Sequence, residues 1–310
     1  MRHAGAACGV FQARGQPGRE LLKPRVGVGV AEDSQRGDPG RGGQRVAAQR
    51  AGLKDLARGL SRTQLWLAFA ADEVQTRYRR SALGLSWIVV SYVMFVAAIS
   101  IFFGGFSTKD AQDFTAYVAI NYALFSFLVA NLTDGCASFK ASKTWINSMA
   151  LPHSIHVLKS IARALFVFGI SLTVAIAVLL VTGHLRTPVS LLALPAFAVI
   201  LVNAVFVQTV LGYATARLRD LEHLMQSLTR ILFFITPILW VRTELPEGTL
   251  RRLIADMNPL THTLEIVSSP LLGHFPDPMS WKFVGVMTGV NFLAMVVTAY
   301  LSHRRLPYWL

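Results

Sequence analysis

Arg77, Arg79 and Arg80 gather three guanidinium groups into four residues, just ahead of an uncharged apolar run that begins at Trp87. Guanidiniums make paired, charge-assisted hydrogen bonds to phosphate oxygens. The competing reading is a cationic anchor at the end of a membrane span. A second set is amide side chains inside apolar stretches: Asn121, Asn131, Asn203, Gln208 and Asn291. Such groups bridge neighbouring helices or line a polar path, and bridging is the preferred reading. A third is aromatic: Tyr117, Tyr122, Phe125 and Phe127, then Phe233, Phe234 and Trp240. Aromatic faces stack on sugar rings, so Tyr117, Tyr122, Phe233 and Phe234 are candidates for a glycan route. For each taken singly, lipid-facing bulk or an interfacial belt is the preferred reading.

Other chemistry has no support. The chain has no GxxxxGK[ST] phosphate loop, no HExxH, no CxxC and no GxSxG. His153 and His156 stand three apart, a weak metal signal, so no metal site is expected. Asp110 and Asp113 read as solvated loop carboxylates. No acidic residue falls inside the expected spans, which argues against a proton relay.

The elements that must position these residues follow from composition. The 310-residue chain is 53% hydrophobic and 15% charged, against about 25% charged in average globular domains. Its mean hydropathy is +0.46. Thirty Lys and Arg against 17 Asp and Glu leave a net charge of +13. Despite that charge, the shortage of polar surface excludes a nucleic-acid-binding tail protein and an ordinary soluble domain. Cys8 and Cys136 are too few for a disulfide framework. An all-α membrane protein remains.

A span needs about 20 apolar residues. Trp87–Phe106, Phe114–Leu132, Val157–Thr182, Leu191–Ala216 and Phe283–Leu301 qualify, with Lys159 and Arg163 snorkelling near the head of the third. Thr229–Val241 is a short sixth candidate that Pro237 must kink or end. Six spans put both termini on one side. Arg77, Arg79, Arg80, Lys140, Lys143, Arg217, Arg219, Arg304 and Arg305 fall on that side, while the opposite short loops carry only Lys109 and Arg186. The longer loop Arg242–Lys282 also lies opposite, where charge counts for less. The positive-inside bias makes both termini cytoplasmic.

Residues 1–52 are rich in Gly and Arg and are expected to be a disordered tail, with the membrane domain spanning 53–310. Leu53, Leu56, Leu60, Leu67, Ala71 and Val74 form one stripe, which predicts an amphipathic helix lying in the membrane interface. The loop Thr133–His156 predicts a short helix parallel to the membrane, with Phe139, Lys143 and Ile146 on neighbouring faces. In the long opposite loop, Leu250, Leu253, Ile254 and Met257 repeat at helical spacing between prolines. That pattern predicts short re-entrant or interfacial helices.

Several of these patterns coincide with one family. The run Arg77–Trp87 (RYRRSALGLSW) resembles the lead-in to the first span of polysaccharide-exporting ABC transporter permeases. Asp134-Gly135-Cys136 with Phe139, Leu151-Pro152 and His156-Val157 is similar to the loop after the second span in their O-antigen/lipopolysaccharide branch. Arg217-Leu218-Arg219-Asp220 resembles the motif after the fourth span, and Phe233-Phe234-Ile235-Thr236-Pro237-Ile238 resembles an FFxTP[IV] motif. Asn258-Pro259-Leu260, Pro270-Leu271-Leu272-Gly273 and the ending Arg304-Arg305…Tyr308-Trp309 complete the set. The resemblance covers about Leu65–Leu310. Many relatives carry Pro shortly after the Trp, where this chain has Ser91 and Tyr92.

The resemblance implies an integral membrane permease subunit of the bacterial inner membrane that works as a homodimer with a separate ATP-binding cassette subunit. That partner would bind ATP and Mg and carry out hydrolysis; this chain would hold no cofactor and no catalytic residue. The cargo would be lipid-linked polysaccharide. Phe139, Lys140, Lys143, Trp145 and Ile146 would form the partner-coupling loop, and Arg77, Arg79 and Arg80 would face the carrier's diphosphate. Arg219, Asp220 and Pro237 would be structural or coupling residues. The alternatives are a permease for teichoic acid, capsule or drug export, or a polyprenyl-dependent membrane glycosyltransferase. The last needs a carboxylate pair at a span end, and the sequence shows none.

Overall fold

The computed structural model describes residues 55–79, 82–107, 110–148, 151–302 and 306–309. The expected tail 1–52, together with Arg80, Lys109, Arg304 and Arg305, lies outside these. Among the described residues all regular structure is helical, which satisfies the backbone within each segment where no water is at hand. Residues 55–61 form α1. After it come α2 (Thr63–Tyr78), α3 (Ser86–Phe103), α4 (Ala111–Ala141), α5 (Lys143–Ser148) and α6 (Ser154–Val181). They are followed by α7 (Ala193–Arg217), α8 (Leu221–Ile235), α9 (Leu250–Met257), α10 (Pro259–Leu271), α11 (Pro278–Ser302) and α12 (Leu306–Trp309).

Five helices are long and apolar enough to cross a membrane: α3, α4, α6, α7 with the 3₁₀ turn before it, and α11. The sixth expected segment, Thr229–Val241, is not one helix. Its helix begins earlier, at Leu221, and ends at Ile235, because Thr236 turns to extended backbone (ψ 135°) ahead of Pro237. The resulting 15 residues rise about 22 Å, short of the roughly 30 Å hydrocarbon layer.

α4 is the axis of the bundle. In its most apolar stretch 56% is buried, against 11–28% in the other four long helices. At 31 residues it rises about 46 Å, so it outruns the hydrocarbon layer. The expected loop at Thr133 is therefore helix as far as Ala141. Small residues explain the continuation, since they let α4 run close along α7. A Cβ on Gly135 would stand 3.0 Å from the Gln208 Cα, and one on Gly212 would stand 3.0 Å from the Phe139 ring. Thr215 adds a hydrogen bond from its Oγ1 to the Cys136 carbonyl, 2.8 Å.

The in-span amides mostly tie helices together. Gln208 donates to Asn131 Oδ1 at 2.7 Å, and Asn291 donates to Asn203 Oδ1 at 2.9 Å, while Asn203 donates to Thr288 Oγ1 at 2.7 Å. Asn121 instead bonds its own helix at the Tyr117 carbonyl. Interhelical bonds of this kind contribute about 0.6 kcal/mol, at most about 1.7. Gln208→Leu is expected to lower the melting temperature of the detergent-purified chain only slightly. Unfolding of the variant at ambient temperature would show that the amide carries more than a packing bond.

α1 and α2 sit on α6. They meet at Arg62, where the helix breaks (φ −99°, ψ 49°), so the expected single helix is two. The face against the bundle carries Gly59, Ala70 and Val74, whereas Leu60 and Leu67 are exposed. The chain's last described piece, α12, tucks Leu306 into the core beside Phe139, Tyr213 and Ala216, and Arg217 lies 5.9 Å over the Trp309 ring.

Candidate functional site: the two ends of the bundle and the α8 face

The end of the bundle that bears α5 is built on charge. Asp55 on α1 accepts hydrogen bonds from the backbone N–H groups of His153 (3.2 Å) and Ser154 (2.9 Å), capping the first turn of α6. Ser154 Oγ donates back to the Asp55 carbonyl at 2.7 Å. One turn further, Glu73 on α2 pairs with both Lys159 (2.9 Å) and Arg163 of α6, and Arg163 also pairs with Asp134 of α4 at 2.9 Å. Lys159 and Arg163 therefore do not snorkel to water. They stand four apart on one helical face and together clasp a single carboxylate. Asp134 is a helix residue, because α4 extends past the point where a loop was expected. The sequence held a signal for the pair of cations in their spacing, but none for the acids across from them.

Around this cluster lie the expected coupling residues. Lys143 and Trp145 on α5 are exposed and Ile146 is half-buried; the Trp145 ring lies 5.5 Å from Phe69 of α2. Phe139 and Lys140 belong instead to α4. Phe139 is buried against Tyr213 and His153, so its ring presents nothing to the outside, contrary to its expected place. Lys140 reaches Glu222 on α8 at 2.9 Å. Arg77 and Arg79 are exposed at the end of α2. Arg219 and Asp220 form the turn between α7 and α8; both are exposed, and no ion pair joins them to each other.

The opposite end is also ion-paired, through residues not singled out beforehand. Arg242 meets Asp256 at 2.7 Å and Glu265 at 2.6 Å, joining the loop after α8 to α9 and α10. Arg252 bonds the Arg242 carbonyl at 3.0 Å. Pro237 fixes the loop's start: Tyr117 donates its hydroxyl to the Pro237 carbonyl at 2.6 Å, and Asn258 donates to Thr236 Oγ1 at 2.9 Å.

The aromatic candidates divide. Tyr122 stacks on Phe95 with ring centres 4.0 Å apart, Tyr117 is spent on the Pro237 carbonyl, and Phe233 is wedged between Phe95 and Phe125. Tyr122 and Phe233 lock α3, α4 and α8 together and Tyr117 ties α4 to the loop after α8, so the structure does not bring the three to a common open surface. Phe234 alone of the four is exposed.

Residues 64–272, from α2 through α10, match the family described as ABC-2 type transporter. The chain belongs to that family. This ABC-2 chain is accordingly the membrane subunit of a transporter, and its five long apolar helices make it a multi-pass membrane protein. It is 18% identical over 214 residues to the O-antigen export system permease protein RfbA of Myxococcus xanthus, covering 69% of this chain and 82% of that one. It is 23% identical over 185 residues to the protein of the same description from Klebsiella pneumoniae, covering 59% and 71%. The matched stretch of the ABC-2 chain contains both ion clusters and the whole of α5.

Proposed function

We propose that two copies of this chain form the membrane half of an ATP-driven exporter, and that it moves lipid-linked polysaccharide of the O-antigen kind across the bacterial inner membrane. Two copies of an ATP-binding cassette subunit bind ATP and Mg and dock at the α5 end, which faces the cytoplasm together with both termini. The observation that carries the reading is the likeness to O-antigen export permeases across most of their own length.

The structure supplies a mechanical route for the coupling. α5 is a six-residue helix with Lys143 and Trp145 outward, backed by Phe69 on α2. α2 is held to α6 and, through Arg163, to α4 by the Glu73 cluster. A push on α5 from a partner's cleft therefore bears on three helices at once and biases one of two packings. Lys143, Trp145 and Ile146 make the contact; Phe139 backs it from inside. Arg77 and Arg79, at the same end, meet the carrier's diphosphate, and Arg80 belongs to the same cluster in sequence.

Deletion of the gene tests this. Lipid-linked polymer is expected to accumulate inside the cell, and wild-type chain to clear it. A Trp145→Ala chain is expected to reach the membrane in normal amount and yet clear little. A deletion strain in which no polymer accumulates would overturn the export reading.

A further inference from the structure

α8 carries a stripe that lipid would not tolerate. His223, Gln226, Ser227 and Arg230 are all exposed and, at 100° per residue, fall on one face that ends in Phe234. Leu224, Leu228 and Ile231 are exposed beside them, and Thr229 is buried on the far side. The depth of the stripe is fixed by its neighbours. Phe233 lies 5.8 Å from Phe95 and 5.7 Å from Phe125, each near the middle of its span. Leu228 and Leu232 line a cavity with Leu128, Asn131, Ile200 and Asn203, the last four all within the apolar runs of α4 and α7. Arg230 sits between those two leucines in sequence. Among the described residues no carboxylate pairs with it; the acid on the first turn of α8, Glu222, is taken by Lys140.

A guanidinium at that depth cannot be left against hydrocarbon, and ionisable groups in spans face water, a partner or a ligand. Polar residues one turn before it on the same face say that the whole stripe is wet. We propose that Arg230 stands on the wall of the translocation path and binds an oxyanion carried by the transported molecule. The ligand class is a phosphate or carboxylate group, held by charge-assisted hydrogen bonds to the guanidinium, with Ser227 and Gln226 as neutral neighbours. The source is either the diphosphate of the lipid carrier or an acidic sugar of the glycan. The inference rests on the export reading for the existence of such a path.

Cysteine labelling tests it in the full chain with its ATP-binding partner in nanodiscs. Cys8→Ser and Cys136→Ala clear the background, and Ser227→Cys places a thiol one turn from Arg230. The thiol is expected to react with water-soluble anionic and cationic methanethiosulfonates. Arg230→Gln should lower the anionic-to-cationic rate ratio about tenfold, whereas Arg230→Lys should keep it. Farnesyl diphosphate and a glucuronate oligosaccharide are then offered as protectants. Slower labelling by the first assigns the site to the carrier and by the second to the glycan, and either protection should vanish in Arg230→Gln. A thiol reached only by lipophilic reagents, or by none, overturns the proposal, as does labelling that neither anion slows. None of these readouts uses export, so such a failure leaves the export reading intact; failure of that reading shows in the deletion strain.

Discussion

Arg163→Met is expected to destabilise the chain by about 3 kcal/mol and to remove most of the protein that purifies as a single species. The substitution takes away the one group that answers both Glu73 and Asp134. Breaking a buried ion pair from one side costs about 3–5 kcal/mol, because the remaining charge stays desolvated and unpaired. The lower end applies here, since the Glu73 and Asp134 side chains keep 29% and 26% of their surface. Lys159 still serves Glu73, so the charge left without an ion-pair partner is Asp134, which keeps only the field of Arg77. Adding Asp134→Asn to Arg163→Met should therefore recover a large part of the loss, and Asp134→Asn alone should cost less than Arg163→Met. The measurement is the melting temperature in detergent of the three variants and wild type. A wild-type melting temperature for Arg163→Met would show that the cluster ties nothing together.

Gly135→Leu should be at least as damaging, for a reason that owes nothing to charge. Already the Cβ of an alanine would approach the Gln208 Cα within 3.0 Å, and what it meets is backbone, which cannot swing aside. Overpacking costs about 1–3 kcal/mol in well-packed cores and more when the obstacle is rigid. A leucine there must part α4 from α7, breaking the Asn131–Gln208 bond and the Thr215 bond to Cys136 with it. Fluorescence-detected size exclusion should show aggregate for Gly135→Leu and a diminished single peak for Gly135→Ala. Gly169, where a Cβ would meet nothing within 4 Å, is the control: Gly169→Ala should elute like wild type.

These two sites also show what the sequence could and could not say. Apolar runs set out the five long helices, because hydropathy is a local property. The end of α4 was not legible. Thr133-Asp134-Gly135 has the composition of a loop, yet it is helical, with Arg163 answering Asp134 and α7 packed so closely that only Gly fits at 135. Both partners lie far along the chain. The same error of register hid Arg230: it looked like the first turn of a span beginning at Thr229, whereas the helix starts at Leu221 and carries it more than two turns in, to the level of the apolar runs. Pro237 did end its helix as expected, since a missing N–H and a fixed φ act locally. Trp145 and Lys143 do lie exposed on a short helix, while Phe139, expected in the same coupling segment, belongs to α4 and is carried inside, which nothing in its sequence neighbours revealed.

The cap on α6 has a consequence for how the chain is made. Asp55 and Glu73 leave the ribosome some 90 residues before the groups they serve. Lys159 and Arg163 emerge at the leading edge of an otherwise greasy segment, where two cations raise the threshold for lateral release from the translocon. The acids are by then waiting on α1, α2 and α4. A chain that begins after Tyr78 keeps every apolar segment but has lost Asp55 and Glu73, leaving Asp134 alone to answer Arg163, so its third apolar helix is expected to insert less efficiently, as glycosylation mapping of the loop after α6 would read.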